Sequence, residues 1–211
     1  MVVLDPGHNG GNGSHLDEIN AQVPDGRGGH KACNTTGTST DAGYTEHAFT
    51  FDVATRVRNL LQAKGFHVIM TRNDDSGVGP CVDQRAAIGN RAGAAAVVSI
   101  HADGAGSSGH GFHVNYSSPP LNSVQGQPSI SLATDLRDVL QGNGFSPANY
   151  IGSDGLYGRS DLAGLNLSDR PSALVECGNM RNSADADVLS SDSGKQRIAA
   201  AIATAIEKYL S

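Results

Sequence analysis

The sequence predicts an α/β domain built on an open, mostly parallel central sheet of about six strands, with helices on both faces. Three observations carry that reading. Apolar runs of strand length alternate along the chain with stretches of helical periodicity. Gly is plentiful at 27 residues while aromatics make up only 5%, which suits tight turns and small residues packed between layers. The 211 residues can bury one substantial core, and neither an internal repeat nor a clear domain boundary divides them.

The first strand, Val2–Leu4, runs directly into Asp5-Pro6-Gly7-His8 and then a Gly/Asn-rich stretch; residues 9 to 44 read as irregular. A helix follows, because Phe49, Val53, Val57, Leu60 and Leu61 share one face and Gly65 supplies a stop. Phe66–Met70 reads as the second strand, 73 to 82 as a loop and Asp83–Arg91 as a shorter helix. Ala95–Ile100 and Phe112–Tyr116 are the next strands. The segment "HADGAGSSGHG" between them is too short for a helical crossover, so these two strands are expected to pair antiparallel. Residues 117 to 128 are irregular. Ile130, Ala133, Leu136, Val139 and Leu140 then mark a helix ended by Gly142 and Gly144, and 145 to 170 are again irregular. Ala173–Val175 is the last strand. Ile198, Ile202, Ile206 and Leu210 fall every four residues and form a closing amphipathic helix.

A formal charge of −6, with Lys and Arg scattered, argues against a nucleic-acid partner, which calls for a basic stripe. No apolar stretch reaches the roughly 18–20 residues of a membrane span. The chain begins inside a strand directly after Met1, so an export signal is expected to have been trimmed away. The three cysteines include no CxxC, against a structural zinc knuckle. Cys33 and Cys81 lie in loop-like segments, whereas Cys177 lies in the apolar run "SALVEC". One Cys33–Cys81 disulfide plus an inert buried thiol fits, and implies an oxidising compartment. Two free surface thiols in a cytosolic protein are the alternative.

An open α/β sheet gathers ligands at the carboxyl ends of its strands. His8 follows the first strand, His101 ends the third and Glu176 ends the last, while Glu46 opens the helix after His8. Taken singly, each has an ordinary explanation: a satisfied core histidine, or an acidic residue favoured in a helix's first turn. Together at one edge they point to metal chemistry. Two imidazoles and a carboxylate (His8, His101 and Glu46) hold one Zn²⁺ at three corners of a tetrahedron and leave the fourth for water. Such an ion lowers the pKa of its water to about 7 and polarises a carbonyl. Glu176, between apolar Val175 and Cys177, suits a general base whose pKa is raised by burial. The HExxH signature is absent.

These segments resemble the zinc-dependent N-acetylmuramoyl-L-alanine amidases of the amidase-3 type. "LDPGHNG" is similar to that family's first ligand motif and "TEHAFTFDVATRVRNLLQAKGFHVIMTR" to its glutamate ligand, helix and following strand. "RAAIGNRAGAAAVVSIHAD" is similar to its second histidine motif and "RPSALVECGNMRN" to its catalytic glutamate motif. The resemblance spans nearly the whole chain. It implies a single catalytic amidase domain over residues 1 to 211, with a zinc-exopeptidase-like scaffold. It also implies zinc on His8, Glu46 and His101, with Glu176 as base. The substrate would be peptidoglycan or its soluble muropeptide fragments, cut between the muramic acid lactyl group and L-alanine. A monomer in the secreted or periplasmic space is expected.

Departures from the family pattern are Asp103, where Asn is usual, and Cys177 and Asn179, where apolar or aromatic residues are usual. Arg72 and Arg85 match family positions and are read as loop braces rather than substrate clamps. His113 could face the site. His47 points away from Glu46 along the helix, and His15, His30 and His67 read as loop or surface residues. No strongly helical insertion is read in 117 to 170, which predicts an open site. A zinc exopeptidase on a related scaffold and a non-catalytic peptidoglycan-binding module remain the competing readings.

Overall fold

The first apolar run of the sequence becomes an interior strand of the sheet. In a computed structural model that describes all 211 residues, β1 (Val2–Pro6) lies between β4 (Val68–Met70) and β5 (Ala96–Asp103), parallel to both. The full order is β4-β1-β5-β8-β6-β7, with β8 (Ser172–Asn179), β6 (His113–Ser117) and β7 (Leu156–Arg159) completing six strands. Every pairing is parallel except that of β6 with β8. A separate antiparallel pair, β2 (Gln22–Pro24) and β3 (His30–Ala32), projects from the first long loop.

The antiparallel strand expected after Ile100 is therefore present, but its partner is β8 rather than β5. Residues 172–175 are buried throughout, and so uniformly buried a run takes an interior position between β5 and β6.

Side chains alternate across the sheet, and its two faces differ. Val2, Leu4, Val98, Ile100, Val114, Ala173, Val175 and Cys177 join the main core. Three helices pack there: α2 (Glu46–Ala63), α4 (Gln127–Gly142) and α7 (Asp192–Leu210). Their buried stripes, such as Phe49, Val53, Val57 and Leu61 on α2, have the spacing read in the sequence. The other face carries only a small apolar cluster of Val3, Ala94 and Val97, backed by α3 (Val82–Arg91). Much of it is polar, with Asp5, Ser99, His101, Glu176 and His113 among its residues. The short α5 (Ala163–Asn166) also lies on this side, and α6 (Ser183–Ser190) packs against α7 and β8.

Two regions read as irregular contain more order than expected. Residues 9 to 44 hold α1 (Leu16–Ile19) and the β2–β3 hairpin, and 145 to 170 hold β7 and α5. Each piece is only three or four residues long. No helix is long and apolar enough to cross a membrane.

Candidate metal centre

The polar sheet face opens at its carboxyl edge into a cleft of about 440 Å³ lined by His8, Glu46, His101 and Glu176. His8 sits immediately beyond β1 with φ of 59°, a left-handed conformation that turns the chain sharply. Arg85 donates to the carbonyls of Pro6 and His8, and Arg72 to those of Pro6 and Gly7. The Thr50 hydroxyl also donates to Gly7. Both arginines are buried and brace this turn, and Arg85 also lines the cleft. Gly7 is needed for packing: a Cβ there would lie 2.2 Å from Cε1 of His101.

One ligand atom from each of His8, Glu46 and His101 lies within 4.8 Å of the others. Glu46 Oε1 is 3.1 Å from His8 Nε2 and 3.0 Å from His101 Nδ1. Backbone N–H groups orient the carboxylate, that of Ala102 donating to Oε1 and that of Thr38 to Oε2. Burial pushes the Glu46 carboxyl up, but its contacts with His101 and His8 outweigh this and hold it well below the usual carboxylate range. Burial likewise works against a charged His8, yet the Glu46 hydrogen bond and charge raise its imidazole above the ordinary value.

The donor set fits a metal cation on a specific observation. His8 Nδ1 lies 3.0 Å from the Thr35 carbonyl, which can only accept, so Nδ1 carries the hydrogen. In the neutral ring Nε2 then aims a lone pair at the Glu46 carboxylate, an arrangement that a shared cation makes favourable. Nitrogen and oxygen donors of this type suit zinc-like divalent ions, and the Thr35 carbonyl fixes the tautomer in the way metal-bound histidines require.

Glu176 stands beside the triad. It pairs in register with His101 across β5 and β8, which puts the two side chains on the same face. Its Oε2 is sealed from water without a partner. Burial, then the negative charges of Glu46 and Asp103, push its carboxyl well above the ordinary range.

A family profile described as N-acetylmuramoyl-L-alanine amidase, amidase-3 type, matches residues 2–208. The chain belongs to this amidase family. Among its relatives is an N-acetylmuramoyl-L-alanine amidase of Mycobacterium tuberculosis, 51% identical over 210 residues that cover 100% of this chain and 86% of the relative. The apo crystal structure of the amidase Ami1 from Mycobacterium abscessus is 55% identical. It matches with a TM-score of 0.96 over 100% of this chain and 98% of that one. Ami1 from Mycobacterium smegmatis is 53% identical at a TM-score of 0.96, over 99% and 95% of the two chains.

In this amidase-family chain the remaining expectations divide. Cys33 and Cys81 form a disulfide and Cys177 is a buried free thiol. The cystine ties the first loop to the start of α3. Cys177 belongs to the main core, on the face away from the cleft, and so does not shape the pocket. Asp103 lines the cleft and accepts from the Tyr150 hydroxyl at 3.0 Å, while Asn179 donates to the Gly106 and Gly109 carbonyls and shapes the loop after β5. His47 pairs with Asp75, outside the triad. No long helix covers the cleft: α4 lies on the main-core side, and the single-turn α5 only contributes to the cleft wall. Sequence reasoning missed Thr35, Thr38 and Ala102, which act through backbone atoms that carry no side-chain signature.

Proposed function

We propose that this chain is a zinc-dependent N-acetylmuramoyl-L-alanine amidase, a single catalytic domain that works on peptidoglycan or muropeptides in the bacterial cell-wall space. The convergence of His8, Glu46 and His101 within 4.8 Å, with Glu176 in register beside them, carries this reading. His8, Glu46 and His101 hold the zinc. When bound, it supplies a Lewis acid that polarises a carbonyl and acidifies water.

Glu176 takes the proton of the water that attacks the lactyl carbonyl of muramic acid. It then delivers that proton to the departing nitrogen of L-alanine as the C–N bond breaks. A carboxyl raised above its usual range is suited to accept a proton and give it up again. Thr38 and Ala102 hold Glu46 in place, Thr35 sets the His8 tautomer, and Arg72 and Arg85 keep the His8 turn from relaxing. The Cys33–Cys81 disulfide fits action in an oxidising compartment.

The test is incubation with N-acetylmuramoyl-L-alanyl-D-isoglutamine, following free dipeptide by mass spectrometry. Zinc-loaded wild type is expected to release it, while EDTA-treated protein and Glu176→Ala are not. Glu176→Ala is expected to retain about one zinc per chain, because Glu176 is not a ligand. Absence of release by zinc-loaded wild type, from this substrate and from larger muropeptides, would overturn the proposal.

A further inference from the structure

His113 has no part in the reaction as described, yet it occupies a distinctive position. Three strands place His101, Glu176 and His113 in one cross-strand row: Glu176 is directly opposite His101 on β5 and directly opposite His113 on β6. All three side chains therefore stand on the same face of the sheet. His101 belongs to the metal triad. His113, at the other end of the row, is 2% exposed.

Two polar atoms in this row are sealed from water with no partner, Nδ1 of His113 and Oε2 of Glu176. Leaving either unpaired is destabilising. Residues directly opposite on antiparallel strands have Cβ atoms about 4.5–5.5 Å apart. Side chains paired in this way come within reach of each other directly or across one bridging water. The rings of Tyr150 and Tyr157 stand edge-on to the imidazole at 6.1 and 6.4 Å and close it in. Burial pushes the His113 pKa down to about 4, with Asp103 opposing and Arg159 adding to the effect. The ring is then neutral near pH 7, with one N–H to give.

We propose that His113 is a positioning residue for the general base: its Nδ1–H is donated to the buried Oε2 of Glu176, directly or through one water, and turns the other oxygen toward the cleft. The inference rests on the role of Glu176 proposed above. It deepens that role by explaining how a carboxylate on β8 keeps one orientation through proton uptake and release.

The test compares zinc-loaded wild type, His113→Leu, His113→Asn and Glu176→Ala on the muramoyl dipeptide. Loss of the donor in His113→Leu is expected to lower kcat on the order of 10–100-fold, with KM and zinc content close to wild type. His113→Asn, whose amide can place N–H near the position of Nδ1, is expected to restore most of the loss. Wild-type kcat in His113→Leu, equal losses in both variants, or parallel loss of KM and zinc would each reduce His113 to packing. An active Glu176→Ala would instead remove the base itself, a distinct failure. Imidazole ¹⁵N shifts of the wild type are a measurement that needs no variant: the Nδ1–H tautomer is expected at His113, and the Nε2–H tautomer would overturn the proposal.

Discussion

At His8 the chain takes a left-handed turn that a residue with a Cβ adopts only when its surroundings hold it there. Those surroundings are specific: two buried guanidiniums and one hydroxyl on successive carbonyls, with the neighbouring Gly7 pressed against His101. Gly7→Ala is therefore expected to displace the His101 ring, since a new Cβ would lie 2.2–2.6 Å from three of its atoms. Zinc affinity should fall on the order of 10–100-fold, the usual effect of disturbing what orients a ligand. Competition titration with a chelating dye measures it, and unchanged affinity would mean that the strand end shifts to absorb the methyl group. The sequence drew attention to His8, Glu46, His101 and Glu176 because each is a chemically distinctive side chain at the end of an apolar run or the start of a helix. Thr35, Thr38 and Ala102 were not, because their contributions are main-chain atoms. His113 was visible, but its relation to Glu176 depends on strand register, which β8 settles by entering between β5 and β6.

Among the elements, the segment after Cys33 shows how a loop becomes part of the site. Thr35 fixes His8, and the Thr38 carbonyl accepts from the Glu46 backbone N–H while the Thr38 N–H donates to the Glu46 carboxylate. The disulfide and the Val82 N–H bond to the Cys33 carbonyl anchor the start of that segment to α3. The cystine closes a separation of 48 residues, for which chain entropy gives up to about 4 kcal/mol. The double variant Cys33→Ser/Cys81→Ser is expected to melt at a lower temperature and bind zinc more weakly than wild type. Calorimetry with and without zinc separates the two effects. A lower melting temperature with intact zinc affinity would show that hydrogen bonds alone preserve the loop's contacts with the ligands. The long helices and the strands β1 and β5 were readable from hydrophobic periodicity. The β2–β3 hairpin, β7 and α5 were not, since three or four residues hold too little period and their pairing depends on tertiary contacts.

For the molecule as a whole, Asp5 on β1 ties one half of the polar sheet face together. Its carboxylate accepts from Thr71 beyond β4, from Ser99 on β5 and from Arg85 on α3, so one side chain links three elements to β1. Burial works against the charge, but Arg85 and the two hydroxyl donors outweigh it and lower the pKa from 3.8 to about 2. Between those values the unfolded chain binds a proton that the folded chain does not. Stability from Asp5 is accordingly complete above about pH 5 and declines as pH falls through 3.8 toward 2, by roughly 2 kcal/mol in all. Urea unfolding of metal-free wild type and Asp5→Asn from pH 6 down to about pH 2 isolates this contribution, because the other carboxylates largely cancel in the difference. Asp5→Asn is expected to be less stable at pH 6, where it leaves Arg85 without its charge partner, and the gap should narrow toward pH 2. A gap that stays constant across this range would mean that shape and hydrogen bonding at Asp5, rather than its charge, hold the two sides of the cleft floor together.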